Sequence, residues 1–556
     1  MKLCGSRLSI FAASLFLALI TFSVAMGAQT YTPLYTYPET NRGNTGVFSQ
    51  VLAQGRDANF YSTIANGGAN SGGTAYLMTT TGQLTTLYNF CPLTGCADGE
   101  IPYGGLTLGF DGNFYSTAQG GGSKAAGTVF KMTPSGTESV LYNFTNGTDD
   151  SAPIFTVLQG QDGSIYGVSE GQYNGQYGEL FKINGAGVFS VVHDFTYADG
   201  SNPELPAQGT DGNFYGTARL GGDPTCKCGV IYKITPAGAT TVLHAFTGYP
   251  NDGNQPLGIL VQANDGFLYG TTYGGGTYNQ GTVFKISMTG VYTLLHSFHY
   301  ASPSFDGEFP YAGLTVGSDG NLYGTTVNGG ANSDAGVIFQ ITPTGTETIL
   351  YNFCAVKGCT DGFYPEGPLA QNTNGVFYGT TTGNSLGGGV FYSLNTGLKP
   401  FVSLLNWEGK IGKTVEILGQ GFTGTTKVSF NGTSASFTVS SGTYLTAVVP
   451  AGATTGFITV TTPSGTLKSN RKFFVTPTIM SFSPTSGPVG TVVTINGGSL
   501  TQAEGVGFGN RNPAQFTVDS DIEVTATVPA KAQTGPIGIL TPGGTAISSQ
   551  TFTVTQ

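Results

Sequence analysis

Short apolar runs alternate with turn residues along most of the chain. In the segment that starts at Gly105, GLTLG is followed by an Asp-Gly turn at Asp111, NFYSTA, a glycine-rich loop, TVFKMT, a turn at Pro134 and ESVLYNF. Asp-Gly between short apolar runs is a strong signal for a β-hairpin. The segment therefore predicts four short antiparallel strands, with a long loop between the second and the third.

This four-strand unit occurs seven times. Its signature, typified by DGNFYGTARLGG, begins at Asp57, Asp111, Asp162, Asp211, Asp265, Asp319 and Asn374. Every copy carries a tyrosine at one position: Tyr61, Tyr115, Tyr166, Tyr215, Tyr269, Tyr323 and Tyr378. Successive tyrosines are 49 to 55 residues apart. Four antiparallel strands repeated at this period predict either a β-propeller or a solenoid.

The two ends of the repeat region distinguish these architectures. The seventh unit stops after GGGVFYSLN and lacks its fourth strand, whereas the segment that begins at Leu34 matches the fourth-strand segment that begins at Leu87. An N-terminal strand that completes the last unit would close the ring and remove its free edges. A solenoid would need caps, and the sequence shows no candidate for one. We therefore predict a seven-bladed β-propeller over residues 29–397.

The repeats resemble the Gloeobacter/Verrucomicrobia tandem repeat of exported bacterial proteins over about residues 30–397. The resemblance rests on the LYGTT-x-GGG, GTVFKIT-P-x-G and LYNF segments. The third unit departs from it, because Gln172-Tyr173-Asn174 replaces the glycine run. The resemblance implies a fold and an exported bacterial location, and it implies no particular activity.

The C-terminal region has a different period. GKTVEILGQGF from Gly412 matches GTVVTINGGSL from Gly490, which predicts two small sandwiches, residues 398–476 and 477–556. The phrase that begins at Pro477 resembles the IPT/TIG family of immunoglobulin-like domains, whose members in exported proteins act as spacers or adhesion modules. The predicted fold class is all-β: a seven-bladed β-propeller followed by two immunoglobulin-like (IPT/TIG) β-sandwich domains.

The N-terminus has the features of an export signal. Lys2 and Arg7 precede a mostly apolar stretch from Leu8 to Val24, and small residues follow at Ala25 and Gly27. We predict a signal peptide over residues 1–28 and a secreted, cell-surface or periplasmic bacterial protein without stable membrane insertion. An uncleaved membrane anchor is the alternative.

The six cysteines that follow the predicted signal peptide form three local pairs: Cys91 with Cys96, Cys354 with Cys359, and Cys226 with Cys228. Local pairs in an exported protein favour disulfides. The state of the third pair stays open, because so short a ring is strained. A metal site is the rival interpretation, but no other His or Cys has suitable spacing, so we predict no metal and no cofactor.

The net charge of the chain limits the classes of partner that it can be expected to bind. The chain has 21 basic and 31 acidic residues, a net charge of −10. Basic residues are scattered, whereas nucleic acids and anionic membranes need a cationic face. We therefore predict no nucleic-acid partner, and the oligomeric state stays open.

Catalytic motifs are weak. His193, His244 and His296 align with tyrosines of the LYNF segments, which indicates a structural position, and His299 has no evident partner. Gly-x-Ser-x-Gly around Ser385 fits a nucleophile elbow, but no histidine follows it and the segment is the glycine loop of a repeat. We predict no catalytic residue.

Two sets of aspartates and one set of lysines recur with the repeat. The signature aspartates fit turns. The second set lies in longer loops, where turn formation competes with calcium or sugar contact: Asp149, Asp199, Asp252, Asp306 and Asp361. Four lysines share one position on the third strand, for which we predict a solvated edge: Lys131, Lys182, Lys233 and Lys285.

The two ends of the unit differ in the length of their loops. The long loops between strands two and three share a face with the connections between units, whereas the opposite face carries only tight turns. Long loops on a rigid scaffold tend to carry function. We predict a non-catalytic binding or adhesion protein for a polysaccharide or cell-surface component, with Tyr173, Tyr177, Tyr273 and Tyr278 stacking on sugar rings. The alternatives are an extracellular polysaccharide-active hydrolase or lyase and a structural surface-layer role.

Overall fold

The protein is all-β. A computed structural model describes residues 29–38, 51–145, 149, 153–170, 177–300, 305–509 and 512–556. Within these ranges the regular elements are β-strands, apart from one 3₁₀ turn at Thr94–Cys96. No helix in the described part is long and apolar enough to cross a membrane. The predicted signal peptide, residues 1–28, lies outside the described residues.

Seven antiparallel sheets follow one another in the repeat region, and the first six each contain four repeat strands in sequence order. Sheet 1 comprises Ala53–Gln54, Phe60–Ile64, Thr74–Met78 and Leu84–Asn89. Sheet 2 comprises Thr107–Leu108, Phe114–Ala118, Thr128–Met132 and Glu138–Asn143. Sheet 3 comprises Leu158–Gln159, Ile165–Ser169, Glu179–Ile183 and Phe189–Asp194. Sheets 4 and 5 comprise Ala207–Gln208, Phe214–Leu220, Val230–Ile234 and Thr240–Ala245; and Val261–Gln262, Leu268–Thr272, Thr282–Ile286 and Tyr292–Ser297. Sheet 6 comprises Thr315–Val316, Leu322–Thr326, Val337–Ile341 and Glu347–Asn352.

Sheet 7 joins the two ends of the repeat region. Its first three strands are Ala370–Gln371, Phe377–Thr380 and Val390–Asn395, and its fourth is the N-terminal strand Thr30–Thr36. Thr30 pairs with Asn395, and Thr36 with Val390. This pairing confirms the predicted closing strand. Two short additions complete the region: Ser201–Pro203 pairs with the second strand of sheet 4, and Gly253–Asn254 pairs with Gly274–Gly275.

The apolar cores lie between neighbouring sheets. Seven clusters are each built from two successive sheets, and the last one joins Phe60 and Tyr76 of sheet 1 to Tyr378 and Phe391 of sheet 7. Tyr37, which follows the closing strand, is 1% exposed and belongs to that cluster. The seven sheets therefore form a closed ring.

Two smaller units follow, each with two sheets around its own core. The first unit contains Ser403–Leu404, Thr414–Leu418, Tyr444–Val448 and Phe437–Val439 in one sheet, and Glu408–Gly409, Gly465–Val475, Gly456–Thr462, Lys427–Phe430 and Thr433–Ala435 in the other. The second contains Thr478–Ser483, Val492–Gly498, Glu523–Thr527 and Gln515–Ser520, and Ser486–Gly487, Gly544–Val554, Gly535–Thr541, Gly505–Phe508 and Asn512–Pro513. The two units thus repeat one sheet order.

The ring has two faces, which we name by their connections. The turn face carries the turns between first and second strands and between third and fourth strands. The long-loop face carries the loops between second and third strands and the connections between sheets. The first C-terminal unit contacts the turn face at sheets 1, 5 and 7: Arg56 pairs with Glu416 at 2.6 Å, Asn264 donates to the Asn470 carbonyl, and Gln420 donates to Thr373.

The turn face is built by the repeated aspartates. In sheet 2, Asp111 accepts hydrogen bonds from the backbone N–H of Asn113 at 3.0 Å and from the Tyr115 hydroxyl at 2.9 Å. Lys131 pairs with the same carboxylate at 2.9 Å. Sheets 3 and 4 repeat this ion pair through Lys182 and Lys233, and all three lysines remain partly exposed, in agreement with the predicted solvated edge. Lys285 instead donates to the Pro343 carbonyl.

Candidate functional site

A cavity of about 710 Å³ lies at the centre of the ring. All seven sheets contribute to its lining, through the connection that precedes each first strand or through that strand itself. Its polar groups come from those connections and from the ends of second strands, so they lie at the long-loop end of the cavity. The cavity therefore opens toward the face where sequence analysis placed function.

One repeated backbone position supplies two tyrosines and two glutamates of the lining. Each connection contains a proline shortly before the first strand, and the residue after that proline lines the cavity. In sheets 2 to 7 these residues are Tyr103, Ile154, Glu204, Leu257, Tyr311 and Glu366. We call these six residues the inner ring. Two tyrosines and two glutamates in this ring surround a space of small-molecule size.

Close packing of the proline fixes the inner ring. A Cβ atom on Gly281 would lie 2.5 Å from Cδ of Pro310, so only glycine admits the proline of the next connection. The residue before the proline, Phe309, has a φ of 57°, and its carbonyl accepts a hydrogen bond from Val327 N–H. A rigid backbone therefore directs the following side chain, Tyr311, toward the cavity.

A second repeated position adds charge. The residue four places after the repeat tyrosine ends the second strand, and in sheets 2 to 4 it lines the cavity as Gln119, Glu170 and Arg219. In sheet 5 the same position is Tyr273. Among the described lining residues the charged side chains are therefore Glu170, Glu204, Glu366 and Arg219.

Burial controls the protonation of these groups. Glu204 is 5% exposed, and burial raises the pKa of its carboxyl well above the usual value, with Glu170 adding to the rise and Arg219 opposing it. Burial also raises the pKa of Glu366 to about 7. The pKa of the Tyr311 hydroxyl is raised by burial and by the neighbouring carboxylates Glu204 and Glu366. The cavity thus holds one carboxyl group, that of Glu366, whose charge depends on pH near neutrality.

Three of the four tyrosines predicted from the sequence are described, namely Tyr177, Tyr273 and Tyr278, and none of the three lines the cavity. Tyr173 is outside the described residues. Tyr273 stacks on Phe309 with a centroid distance of 4.9 Å and an interplanar angle of 20°, and it meets the edge of Tyr311 at 6.3 Å. Tyr273 thus supports an inner-ring residue.

The other two predicted tyrosines contact neighbouring loops. Tyr177 packs against Tyr197 at 5.5 Å. Tyr278 is 49% exposed and lies against the ring of His299 at 3.9 Å, so His299 has a partner. Tyr278 is therefore the most solvent-accessible of the three described tyrosines and serves as a test of ligand contact outside the cavity.

The second set of aspartates fixes the connections on the long-loop face. The aromatic side chain near the end of the fourth strand in sheets 1 to 6, a tyrosine or a histidine, forms a hydrogen bond with an aspartate of the following connection. Examples are His244 Nε2 with Asp252 at 3.0 Å and the Tyr351 hydroxyl with Asp361 at 2.6 Å. Asp252 also accepts the backbone N–H of Thr247 at 2.9 Å. The same pairing joins Tyr88–Asp98, Tyr142–Asp149, His193–Asp199 and His296–Asp306. These pairs, rather than isolated turns, account for the aspartates and for the histidines.

Disulfides join Cys91 to Cys96, Cys226 to Cys228 and Cys354 to Cys359. The first and third lie in connections between sheets, and the second lies between the second and third strands of sheet 4. All three are therefore on the long-loop face. Cys91, Cys96 and Glu100 approach within 4.8 Å, but the disulfide occupies both sulfurs.

Sequence reasoning missed the inner ring. The available signal was a proline at one place in six connections: Pro102, Pro153, Pro203, Pro256, Pro310 and Pro365. The residue after it differs between most units, so a search for repeated side chains passes over it. A variable position beside a fixed proline is the signal that would have found Glu204, Tyr311 and Glu366.

Comparison with known proteins identifies one family. A model of the Gloeobacter/Verrucomicrobia repeat matches residues 20–225, 153–392 and 206–445, which together cover more than half of the chain. This match confirms the family resemblance inferred from the repeats. No curated protein sequence matches the chain.

Solved structures that match the chain include a fungal alcohol oxidase of the AA5 family in complex with copper, with 14% identity, a TM-score of 0.41 and coverage of 95% of this chain and 100% of that chain. A candidate 6-phosphogluconolactonase from Bacteroides fragilis has 17% identity and a TM-score of 0.40, and the match covers 58% of this chain and 88% of that one. The surface glycan-binding protein PbSGBP-B from Prevotella bryantii has 19% identity and a TM-score of 0.21, with coverage of 26% and 38%.

Proposed function

We propose that this chain, which belongs to the Gloeobacter/Verrucomicrobia repeat family, is an exported protein that binds a carbohydrate in its central cavity. In this proposal residues 29–397 are a seven-bladed β-propeller, and residues 398–476 and 477–556 are two IPT/TIG domains. The first domain closes the turn face, and the second serves as a spacer. The observation that carries the proposal is the central cavity, which combines tyrosines with carboxyl groups.

The chemistry of the cavity suits a sugar unit. Its volume of about 710 Å³ lies within the range of small-molecule sites. Tyr103 and Tyr311 offer apolar ring surfaces and hydroxyls, while Glu170, Glu204 and Glu366 offer acceptors for sugar hydroxyls. The amide groups of Gln119 and Asn202 add donors and acceptors. A polyhydroxylated ligand satisfies these groups better than an apolar one.

The experiment is a glycan array followed by calorimetry on the best binder. We expect Tyr311→Ala to weaken binding by at least about tenfold, because an aromatic contact at a binding hot spot is worth about 2 kcal/mol. Tyr278→Ala is the matched control, since this tyrosine is on the same face but outside the cavity. Loss of binding from Tyr278→Ala alone would move the site to the outer loops and overturn the cavity assignment.

A polysaccharide-active hydrolase is the second candidate, because one observation favours it. Glycoside hydrolysis pairs a protonated carboxylic acid with an ionised carboxylate. Burial raises the pKa of Glu366 to about 7, which suits a general acid, and Arg219 opposes the burial-driven rise in the pKa of Glu170. A reducing-sugar assay decides: release by the unmodified chain that is lost in Glu366→Gln supports the hydrolase, whereas binding without release supports the binding protein.

A further inference from the structure

Charge in the central cavity is unbalanced. Among the described lining residues three side chains carry carboxyl groups, Glu170, Glu204 and Glu366, and one carries a guanidinium, Arg219. Arg219 is exposed, whereas Glu204 is buried. When the carboxyl groups are ionised, the cavity therefore carries a net negative charge that its own residues leave uncompensated.

Glu204 is the most informative of these groups. Its backbone N–H donates to the Thr217 carbonyl at 2.8 Å, and its carbonyl accepts from the Tyr232 hydroxyl at 3.0 Å. No group in the described part of the chain donates to its carboxylate, although the side chain lines the cavity and the residue is 5% exposed. Ionising a carboxyl in so buried a position is costly, and this cost is the main cause of its raised pKa. A ligand that brings a donor of positive charge would remove that cost.

The spread of the carboxylates indicates the size of that ligand. Among the described residues, Glu170, Glu204 and Glu366 do not all bring an oxygen within 4.8 Å of one another. A compact divalent cation needs its ligands at 2.0 to about 2.6 Å, and hence closely grouped. Carboxyl groups that line one cavity without forming one compact site suit an ammonium group attached to an organic body better than a bare divalent ion.

We propose that the cavity selects a sugar unit that bears a protonated primary amine, because Glu204, Glu366 and Glu170 all line a space that Tyr103 and Tyr311 also line. This inference rests on the proposed carbohydrate function and adds the substrate class. The ammonium group donates to Glu204, and the tyrosine rings provide both a stacking surface and a cation–π contact. Acetylation of the amine removes the charge and one donor.

The test compares four oligosaccharides of equal length by calorimetry at about pH 7: glucosamine, N-acetylglucosamine, glucose and galacturonic acid oligomers. We expect the glucosamine oligomer to bind about tenfold or more tightly than its acetylated form, as a desolvated charge pair allows. Glu204→Gln should lower the affinity for the glucosamine oligomer more than the affinity for the glucose oligomer, so that the preference for the amine disappears. Arg219→Gln should strengthen glucosamine binding, since it removes the competing cation.

Each outcome has a defined meaning. If neutral and amine-bearing oligomers bind equally, the carbohydrate function stands and amine selection is wrong. If the galacturonate oligomer binds most tightly, Arg219 dominates and the inference is overturned. If no oligosaccharide binds but the diamine putrescine does, the carbohydrate function fails while cation selection holds, and absence of all binding overturns both. Glu366→Gln, checked for an unchanged thermal midpoint, replaces Glu204→Gln if that variant fails to fold.

Discussion

The two faces of the ring are made from the same repeat but differ in what they keep constant. On the turn face, the signature position is aspartate in six units and asparagine in the seventh, and it always bonds to the repeat tyrosine or its neighbours. On the long-loop face, the proline is constant in the six connections that precede sheets 2 to 7, while the inner ring holds Tyr, Ile, Glu and Leu. Backbone and packing thus fix both faces, and chemical variety enters only where a side chain meets the cavity.

The two faces also differ in their contact with the first C-terminal unit. The first C-terminal unit covers part of the turn face through Arg56, Asn264 and Thr373, which belong to sheets 1, 5 and 7. Sheet 5 is separated from sheets 1 and 7 around the ring, so the contact spans the turn face rather than one edge. A ligand therefore has access from the long-loop face, where the variable side chains are.

The largest expected effect tests the closed ring on which this comparison depends. Deletion of residues 28–40 removes the fourth strand of sheet 7 together with Tyr31, which stacks on Tyr351 at 3.8 Å, and Tyr37, which is buried between sheets 7 and 1. Each large aromatic buries surface worth about 1.5–3 kcal/mol, and domain stability totals only about 5–15 kcal/mol. We expect no cooperative thermal unfolding.

Circular dichroism melting checks this expectation. The exposed Thr32→Ala is the control, because it leaves the strand in place. A deletion variant that melts at the midpoint of the full chain would show that the ring does not need its closing strand.

The next prediction compares one aspartate from each face of the same repeat. Asp252 on the long-loop face is 6% exposed and accepts His244 Nε2, Thr247 N–H and Gly253 N–H, whereas Asp265 on the turn face accepts Phe267 N–H and the Tyr269 hydroxyl. We expect Asp252→Ala to lower the free energy of unfolding by about 3 kcal/mol and Asp265→Ala by about 1 kcal/mol.

Urea denaturation measures both values. Because Asp252 is buried, its loss leaves buried donors without partners, while water replaces Asp265. Equal losses would mean that the aspartates on the two faces contribute alike, and this distinction between the faces would be withdrawn.

Sequence reasoning predicted the repeated parts of this molecule and missed the variable ones. The seven units and the closing strand follow from side chains that recur at a fixed period, such as Tyr61 and Tyr115. The aromatic–aspartate pairs were missed because their spacing changes, from 6 residues for His193–Asp199 to 10 for His296–Asp306. The contact of Arg56 with Glu416 joins residues 360 apart, and no local pattern encodes it.

The pH dependence of stability tests the burial of Glu366, which lines the cavity on the long-loop face. Burial raises the pKa of Glu366 to about 7 in the folded protein, above its unfolded value, so the folded state binds the extra proton between these values. Stability therefore falls as pH rises through about 7. Glu138, Glu308 and Glu347 act in the same direction, since burial is also the main cause of their raised pKa values of about 7.

We expect the thermal midpoint of the unliganded protein to be a few degrees lower at about pH 8 than at about pH 5, and Glu366→Gln to reduce this difference in part. The carboxylate of Asp111, whose pKa is lowered to about 2, loses its contribution only in more acidic solution and does not enter this range. A midpoint that rises with pH in the unmodified chain, or an equal difference in Glu366→Gln, would contradict the assignment.

The smallest expected effect concerns how the first C-terminal unit is held on the turn face. Arg56 lies 2.6 Å from Glu416 and 4.3 Å above the ring of Tyr444, and its backbone carbonyl accepts a hydrogen bond from Thr443 at 2.6 Å. The ion pair is partly exposed, so Arg56→Ala should cost only about 1 kcal/mol in the free energy of unfolding. The control is Lys427→Ala, an exposed cation of the same unit.

Limited proteolysis gives the more specific measurement, because weakened docking exposes the connection between the ring and this unit before either part unfolds. Arg56→Ala should be cleaved faster within residues 396–402 than Lys427→Ala, and Glu416→Ala should behave like Arg56→Ala, with no further acceleration in the double variant, since both remove one interaction. Additive acceleration would show that the two side chains act independently. In that case the contacts at Asn264 and Thr373, rather than the ion pair, would hold the unit across the turn face.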